Sequence, residues 1–286
     1  MKKKKCSALV IFILSACTIY GQNTTNDSIC IGPAKGTLVI VGGGGRSGSS
    51  IKKFINLAGG NDAPIVLIPT ADENASHKDS DEVDILKKQG ATNITVLHTT
   101  NRDIANSDSF VKPLIEAKGV WFGGGRQWRL VDAYKNTRTE KMLWNVLERD
   151  GVIGGTSAGA TIQGSYLARG DTKNNQIMMG DHEEGFGFLK NVAIDQHVLA
   201  RNRQFDMFDI LKKRPELLGI GIDENTAIVV RGNQFEVIGE SYVIVYDGTF
   251  WSREGSDLKN LPEKARLFYF LHKGDKYDLL TRKVKQ

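Results

Sequence analysis

Cysteine is nearly absent from this chain: of 3 in 286 residues, Cys6 and Cys17 fall in the N-terminal leader and Cys30 stands alone ahead of the first strand pattern. No disulfide can therefore form within the mature fold. An H-E-x-x-H run and paired cysteine ligands are also missing, so nothing suggests zinc, and no metal or other cofactor is expected. Long apolar runs are missing as well. The leader's Ala8–Leu14 falls short of the roughly 20 residues that a membrane-spanning helix needs, and no other segment approaches that length. Nor is there a strong charge of one sign. The formal +5 includes Lys2 to Lys5, leaving about +1 for the rest, so the pI near 9.0 gives no reason to expect nucleic acid or a membrane surface as partner.

Those four lysines, the apolar stretch behind them, and small residues at Ala16 and Gly21 form a secretory signal over residues 1–21. Two processing sites fit. Leu14-Ser15-Ala16-Cys17 has the form of a bacterial lipobox, which would end the signal at a lipid-anchored Cys17; Ile19-Tyr20-Gly21 suits ordinary cleavage and a periplasmic or extracellular product. Residues 22–35 read as a polar tether. The remaining 36–286, in a chain that is 40% hydrophobic, are long enough to bury one core and read as a single domain.

Within it, strand and helix patterns alternate. Apolar runs at Gly36–Val41, Ile65–Pro69, Ile94–His98 and Gly119–Phe122 predict strands covered on both faces. Helical periodicity is expected over Ser50–Leu57, Asp81–Gln89, Phe110–Ala117, Gln127–Tyr134 and Glu140–Arg149. This order predicts an α/β fold with a doubly wound, mostly parallel sheet, whose sites lie beyond the C-terminal strand ends.

The central motif is Gly151-Val152-Ile153-Gly154-Gly155-Thr156-Ser157-Ala158-Gly159-Ala160, a strand entering a helix through G-x-S-x-G. A nucleophile elbow needs small residues on both sides of its serine because the turn is so tight, and the helix N–H groups behind it can stabilise an oxyanion. The bland alternative is a Gly/Ala-rich connection with an incidental serine. A competing motif, Gly43-Gly44-Gly45-Arg46-Ser47-Gly48 with Asp72 downstream, satisfies the dinucleotide pattern G-x-G-x-x-G, although four consecutive glycines satisfy it easily. Downstream, a polar, irregular stretch from Arg169 to Asn191 precedes Val192–His197, a strand delivering a histidine with Asp195 and Gln196 beside it and Arg201 and Arg203 after it. His77, His98 and His272 lack such company and read as polar surface residues. Asp223 and Glu224 then sit between two apolar half-strands, where either serves a buried partner or caps a solvated turn.

Four blocks, taken together and in order, resemble the cyanophycinase and peptidase E group of serine peptidases: Trp121–Gln127, the elbow, Asp195-Gln196-His197 with its arginines, and Gly219–Ile228. The resemblance runs from about Gly36 to Tyr246 and favours the cyanophycinase branch. It implies a class I glutamine-amidotransferase-like (flavodoxin-like) fold and hydrolysis of aspartyl peptide bonds. It further implies Ser157 as nucleophile, His197 as general base and Glu224 as the carboxylate that orients it. Backbone N–H groups of Ala158, Gly124 and Gly125 would form the oxyanion hole, and Gln127, Asp195, Gln196, Arg201 and Arg203 the substrate shell. The implied partner is an aspartyl peptide or cyanophycin-like polymer, and the implied assembly a homodimer. Two departures touch specificity: Asp206 stands where another arginine is usual, and Arg126 where Asn or Asp is common. At three residues from Arg203, Asp206 is expected to share its helix face, where it either makes a solvated pair of little energetic consequence or turns a positive subsite negative. A silent, peptide-binding member of the group and a dinucleotide enzyme are the alternatives.

Overall fold

The computed structural model describes residues 30–44, 48–75, 81–255, 260 and 262–285; the signal, both processing sites and part of the tether lie outside these. The first half alternates as the pattern predicts: β1 (Thr37–Val41), α1 (Ser49–Leu57), β2 (Ile65–Ile68), α2 (Asp81–Lys88), β3 (Ile94–Val96), α3 (Arg102–Ala105), α4 (Asp108–Glu116), β4 (Gly119–Phe122), α5 (Gln127–Tyr134), α6 (Arg138–Glu148), β5 (Val152–Thr156) and α7 (Ala158–Thr161). Strands β1, β5, β4, β2 and β3 are parallel neighbours in that order. Helices cover both faces. Leu38 and Ile40 join one buried cluster while Val39 and Val41 join the other, the period of two that a doubly covered strand imposes.

The second half is more antiparallel than its sequence suggests. It contains β6 (Gly164–Tyr166), β7 (Leu189–Gln196), α8 (Met207–Lys213), β8 (Leu218–Ile222), β9 (Thr226–Arg231), β10 (Gln234–Gly239), β11 (Tyr242–Tyr246), a 3-10 turn at Lys264–Arg266, β12 (Tyr269–His272), β13 (Lys276–Asp278) and β14 (Lys283–Lys285). Strand β9 runs antiparallel to β1, and β10, β13 and β14 continue outward to complete a sheet of nine strands. A separate five-stranded sheet, ordered β12-β11-β8-β7-β6, lies beside it. The expected parallel sheet is thus present, and the hairpins extend it. Strand β9 is still buried on both faces, whereas the outer strands bury one, as in β10, where Phe235 and Val237 point inward and Gln234 and Glu236 outward.

Between Tyr166 and Leu189 the chain forms no helix or strand, in agreement with the irregular stretch expected there; it meets β6 through an isolated bridge from Glu184 to Tyr166 and through Gly185 N–H and Gly187 N–H, which donate to Ser165 O and Gly164 O. The C-terminal ends of β5, β7 and β8 converge beyond the end of β1.

Candidate active site

Ser157 occupies the turn between β5 and α7 at φ 55° and ψ −111°, backbone that a side-chain-bearing residue adopts only under constraint. The flanking glycines show why. A Cβ on Gly155 would come within 2.4 Å of Gly159 O, and one on Gly159 within 2.3 Å of Phe122 O. His197 follows β7, also with positive φ (54°). Glu224 follows β8.

Three backbone hydrogen bonds gather these segments around the end of β1. Ser157 N–H donates to Val41 O at 3.1 Å, His197 N–H to Gly42 O at 2.9 Å, and Asn225 N–H to Gly43 O at 2.9 Å. The side chains then meet: Ser157 Oγ lies 2.9 Å from His197 Nε2, and His197 Nδ1 lies 2.6 Å from Glu224 Oε1. Burial holds the His197 pKa below its ordinary value; Glu224 pulls it up, Arg201 and Arg203 push it down, and the net shift is downward. The imidazole is therefore neutral at ordinary pH.

The open choice between the two acids resolves cleanly. Asp223, 6% exposed, accepts from Leu199 N–H at 3.0 Å, Ala200 N–H at 2.9 Å and Ser241 Oγ at 2.6 Å, so it pins the turn after His197 while Glu224 faces the imidazole.

A cavity of about 290 Å³ opens in front of Ser157, lined by His197, Gly124, Arg201, Asn225, Ser50 and Glu82 among an apolar set that includes Ile51, Ile85, Leu86 and Trp121. The other expected substrate contacts lie elsewhere. Gln127 is 1% exposed and its Nε2 donates to Ala168 O and Arg169 O, fixing the irregular stretch to α5. Asp195, also 1% exposed, is held by Arg169 through Nε and Nη2 at 2.8 and 2.9 Å. Gln196 is buried and accepts from Arg203 Nη1 at 3.1 Å. These four residues of the expected shell support the site from behind, and Arg201 alone of the set lines the cavity.

Asp206 likewise departs from expectation. Helix α8 begins at Met207, so Arg203 lies in the preceding turn and shares no helix face with it. Asp206 instead accepts from Arg169 Nη2 at 2.6 Å and does not line the cavity. Arg126 turns to the backbone of Asp171. In the expected oxyanion hole, Ala158 opens α7, where a helical N–H has no intrahelical acceptor, and Gly125 follows in the turn after β4. Gly124 differs: its N–H donates to Glu82 Oε1 at 3.2 Å. Of the glycines proposed for a dinucleotide, Gly43 faces the histidine, a Cβ there sitting 2.1 Å from His197 Cε1, Gly44 faces Glu224 and Asn225, Gly48 faces Gln89, and Gly45 to Ser47 lie outside the described residues. Asp72 caps its own turn through Asn74 N–H. Among the described residues no group of three His, Cys, Asp or Glu is arranged to hold a metal, and no helix is long and apolar enough to cross a membrane.

Sequence reading missed Arg169, Glu82, Ser50 and Asn225. Arg169 sits in a stretch without periodicity and Glu82 on an ordinary amphipathic helix; only the fold carries them to the site.

Comparisons with known proteins identify the family. The chain is 30% identical over 241 residues to a cyanophycinase of Geminocystis herdmanii, covering 81% of this chain and 88% of that one. It is 29% identical over 245 residues to a cyanophycinase of a Nostoc species, covering 82% and 81%. Among solved structures, a peptidase from an acI-B1 Actinobacterium superposes with a TM-score of 0.61 at 24% identity, over 86% of this chain and 98% of that one. A putative peptidase E protein from Listeria monocytogenes gives 0.51 at 18%, over 73% and 100%. The class is that of serine-type peptidases on a class I glutamine-amidotransferase-like fold. The family model of Peptidase family S51 matches residues 38–238, and the chain belongs to that family.

The buried Arg169 ion pairs generate a stability prediction. Removing one partner of a buried pair leaves the other charge uncompensated, so Arg169→Met should cost about 3–5 kcal/mol in urea unfolding. A loss below about 1 kcal/mol would show that Asp195 is compensated by other groups.

Proposed function

We propose that this peptidase cleaves aspartyl peptide bonds, β-aspartyl ones in particular, through an acyl-enzyme on Ser157. The observation that carries the proposal is the unbroken hydrogen-bond chain from Ser157 Oγ through His197 to Glu224 at the mouth of a cavity. Glu224 accepts the Nδ1 proton of His197 and so fixes the tautomer whose Nε2 lone pair faces the serine hydroxyl. His197 takes the hydroxyl proton as Oγ attacks the scissile carbonyl, and the oxyanion forms near the N–H groups of Ala158 and Gly125. The C–N bond then breaks as His197 returns the proton to the leaving amine. Water, deprotonated by the same imidazole, releases the aspartyl product and regenerates Ser157. Arg201 offers the guanidinium that grips the substrate's free carboxylate. The name carried by the relatives supports a cyanophycin-like polymer or its peptides as substrate.

Ser157→Ala should keep the fold and lose turnover of β-aspartyl peptides by roughly 10⁴-fold or more, together with labelling by a serine-directed fluorophosphonate. Near-native turnover in this variant contradicts the mechanism.

The base acts when neutral, and its pKa is held below the ordinary histidine value of about 6.5. The acid limb of the kcat/KM profile is therefore expected to have its midpoint below pH 6.5, with activity lost as pH falls through it. A midpoint at or above that value means another group titrates.

Export belongs to the same reading and rests on the leader's lysines and apolar stretch. Mass spectrometry of the native N-terminus should find lipidated Cys17 or Gln22 as the first residue; a chain retaining Met1 rules out both.

A further inference from the structure

The charge of the chain outside its leader is small, but the fold does not spread it evenly. Facing pairs across the outer strands put Arg231 of β9, Glu236 of β10, Lys276 and Asp278 of β13, and Lys283 and Lys285 of β14 on one face of the nine-stranded sheet, opposite the buried Phe235, Val237 and Tyr277. The four cations are exposed. Lys53, also exposed, comes from α1 and lines the same depression as Arg231, Glu236 and Lys276. Five cations thus stand against two acids, and the one ion pair among the described residues of this face joins Lys285 Nζ to Asp278 Oδ2 at 3.3 Å. Lys276 and Lys285 are directly opposed across β13 and β14, where like charges repel.

Lysines on an edge strand keep other sheets from pairing with it, which accounts for β14. That role does not account for Arg231, three strands further in, or for Lys53 on a helix. An exposed, extended row of cations has no buried donor to grip a small anion. It suits an extended anionic surface instead.

The entry of the chain into the domain indicates which surface. Ile31 N–H donates to Asn233 Oδ1 at 2.7 Å, and a Cβ on Gly32 would sit 2.3 Å from Gly232 O, so the chain enters at the β9–β10 turn, beside Arg231. Thirteen residues separate Ile31 from Cys17 of the lipobox, a span of at most ~50 Å. An acyl group on Cys17 would bring this face to a bilayer, and a lipid chain combined with a basic patch holds a protein there where a single signal binds weakly. Strand β9 also separates this face from the chemistry. Its first residue, Thr226, follows Asn225 at the cavity, and its last, Arg231, lies about 17 Å further along the strand.

We infer that the face bearing Arg231, Lys276, Lys283 and Lys285, with Lys53 beside it, rests on the anionic phospholipid headgroups of the cell envelope and keeps the mouth of the cavity clear of the bilayer. The inference rests on the export reading and is independent of the reaction at Ser157.

The test uses the mature chain beginning at Gln22, which lacks the lipid-bearing cysteine and keeps every described residue, so that association reads the face alone. In co-sedimentation it should prefer vesicles of phosphatidylglycerol and phosphatidylcholine to vesicles of phosphatidylcholine, and the preference should vanish as NaCl is raised from about 0.05 to about 0.5 M. Arg231→Gln, Lys276→Gln, Lys283→Gln and Lys285→Gln, made singly and checked by urea unfolding, should each lower the partition coefficient roughly fivefold. A bimane on Cys30, the one cysteine in that chain, should be quenched by lipid carrying a nitroxide on its headgroup. No preference for the anionic vesicles, Gln variants that partition like the parent, or a bound chain whose Cys30 bimane is not quenched overturns the inference. So does a dimer, seen by analytical ultracentrifugation, that the same Gln variants dissociate, since the face then belongs to a second copy. Export is tested separately by the native N-terminus: a chain beginning at Met1 removes that reading, and the vesicle assay still decides the face.

Discussion

The site depends on the three carbonyls at the end of β1. Val41, Gly42 and Gly43 each accept a backbone N–H from a different segment, carrying Ser157, His197 and the residue after Glu224. Three hydrogen-bonded side chains brought from three strand ends of two sheets need a common reference, and the consecutive carbonyls that end β1 and follow it supply one at a spacing set by covalent geometry. The approach is close enough that no side chain fits between. A Cβ on Gly43 would overlap the imidazole, and one on Gly42 would overlap the Ile222 and Asp223 carbonyls, so both glycines are explained by what packs on them. Two of the three residues in this hydrogen-bonded chain, Ser157 and His197, sit at positive φ. Such conformations persist where the surroundings over-determine them, and these backbone bonds do so at Ser157 and His197 alike.

Behind this reference plane lies a buried electrostatic layer. Arg169 spans Asp195 and Asp206, Gln127 holds the backbone of Ala168 and Arg169, and Arg203 holds Gln196. Its effect on the chemistry is indirect. Asp195 and Gln196 are the last residues of β7, so fixing them fixes where the strand releases His197, and Asp223 pins the turn on the other side. Preorganisation of this kind lets the imidazole stay neutral and aimed without contacts of its own to spare.

The sequence made the parallel core and the identity of the meeting side chains legible, because both leave local marks. Continuous apolar runs mark β1, β2 and β4; glycines two residues either side of Ser157 mark the elbow. The antiparallel half was harder to read. Its outer strands β10, β12, β13 and β14 alternate buried and exposed residues over three to six positions, so their periodicity competes with that of turns. The roles of the flanking polar residues were legible only by resemblance, and the structure redistributes them. Asp195, Gln196 and Arg203 are polar residues near a histidine in sequence and Gln127 ends a glycine-rich block, yet burial and pairing turn all four away from the cavity. Glu82 is remote from every motif and arrives through the crossover from β2 to β3.

That redistribution follows from a constraint on charge. A buried carboxylate such as Asp195 must have its cation, and Arg169, entering from the irregular stretch, supplies it with a guanidinium broad enough to reach Asp206 as well. An arginine at position 206 would face Arg169 across the same few ångströms, so the acid at 206 and the base at 169 form one compensated unit and neither is free to vary alone. Since that unit is closed to the cavity, changes there act on the placement of β7 rather than on the substrate. Selectivity must then come from residues whose polar atoms are left unpaired on the cavity side, and the walls contributed by α1, α2 and the loop after β8 are where such atoms occur.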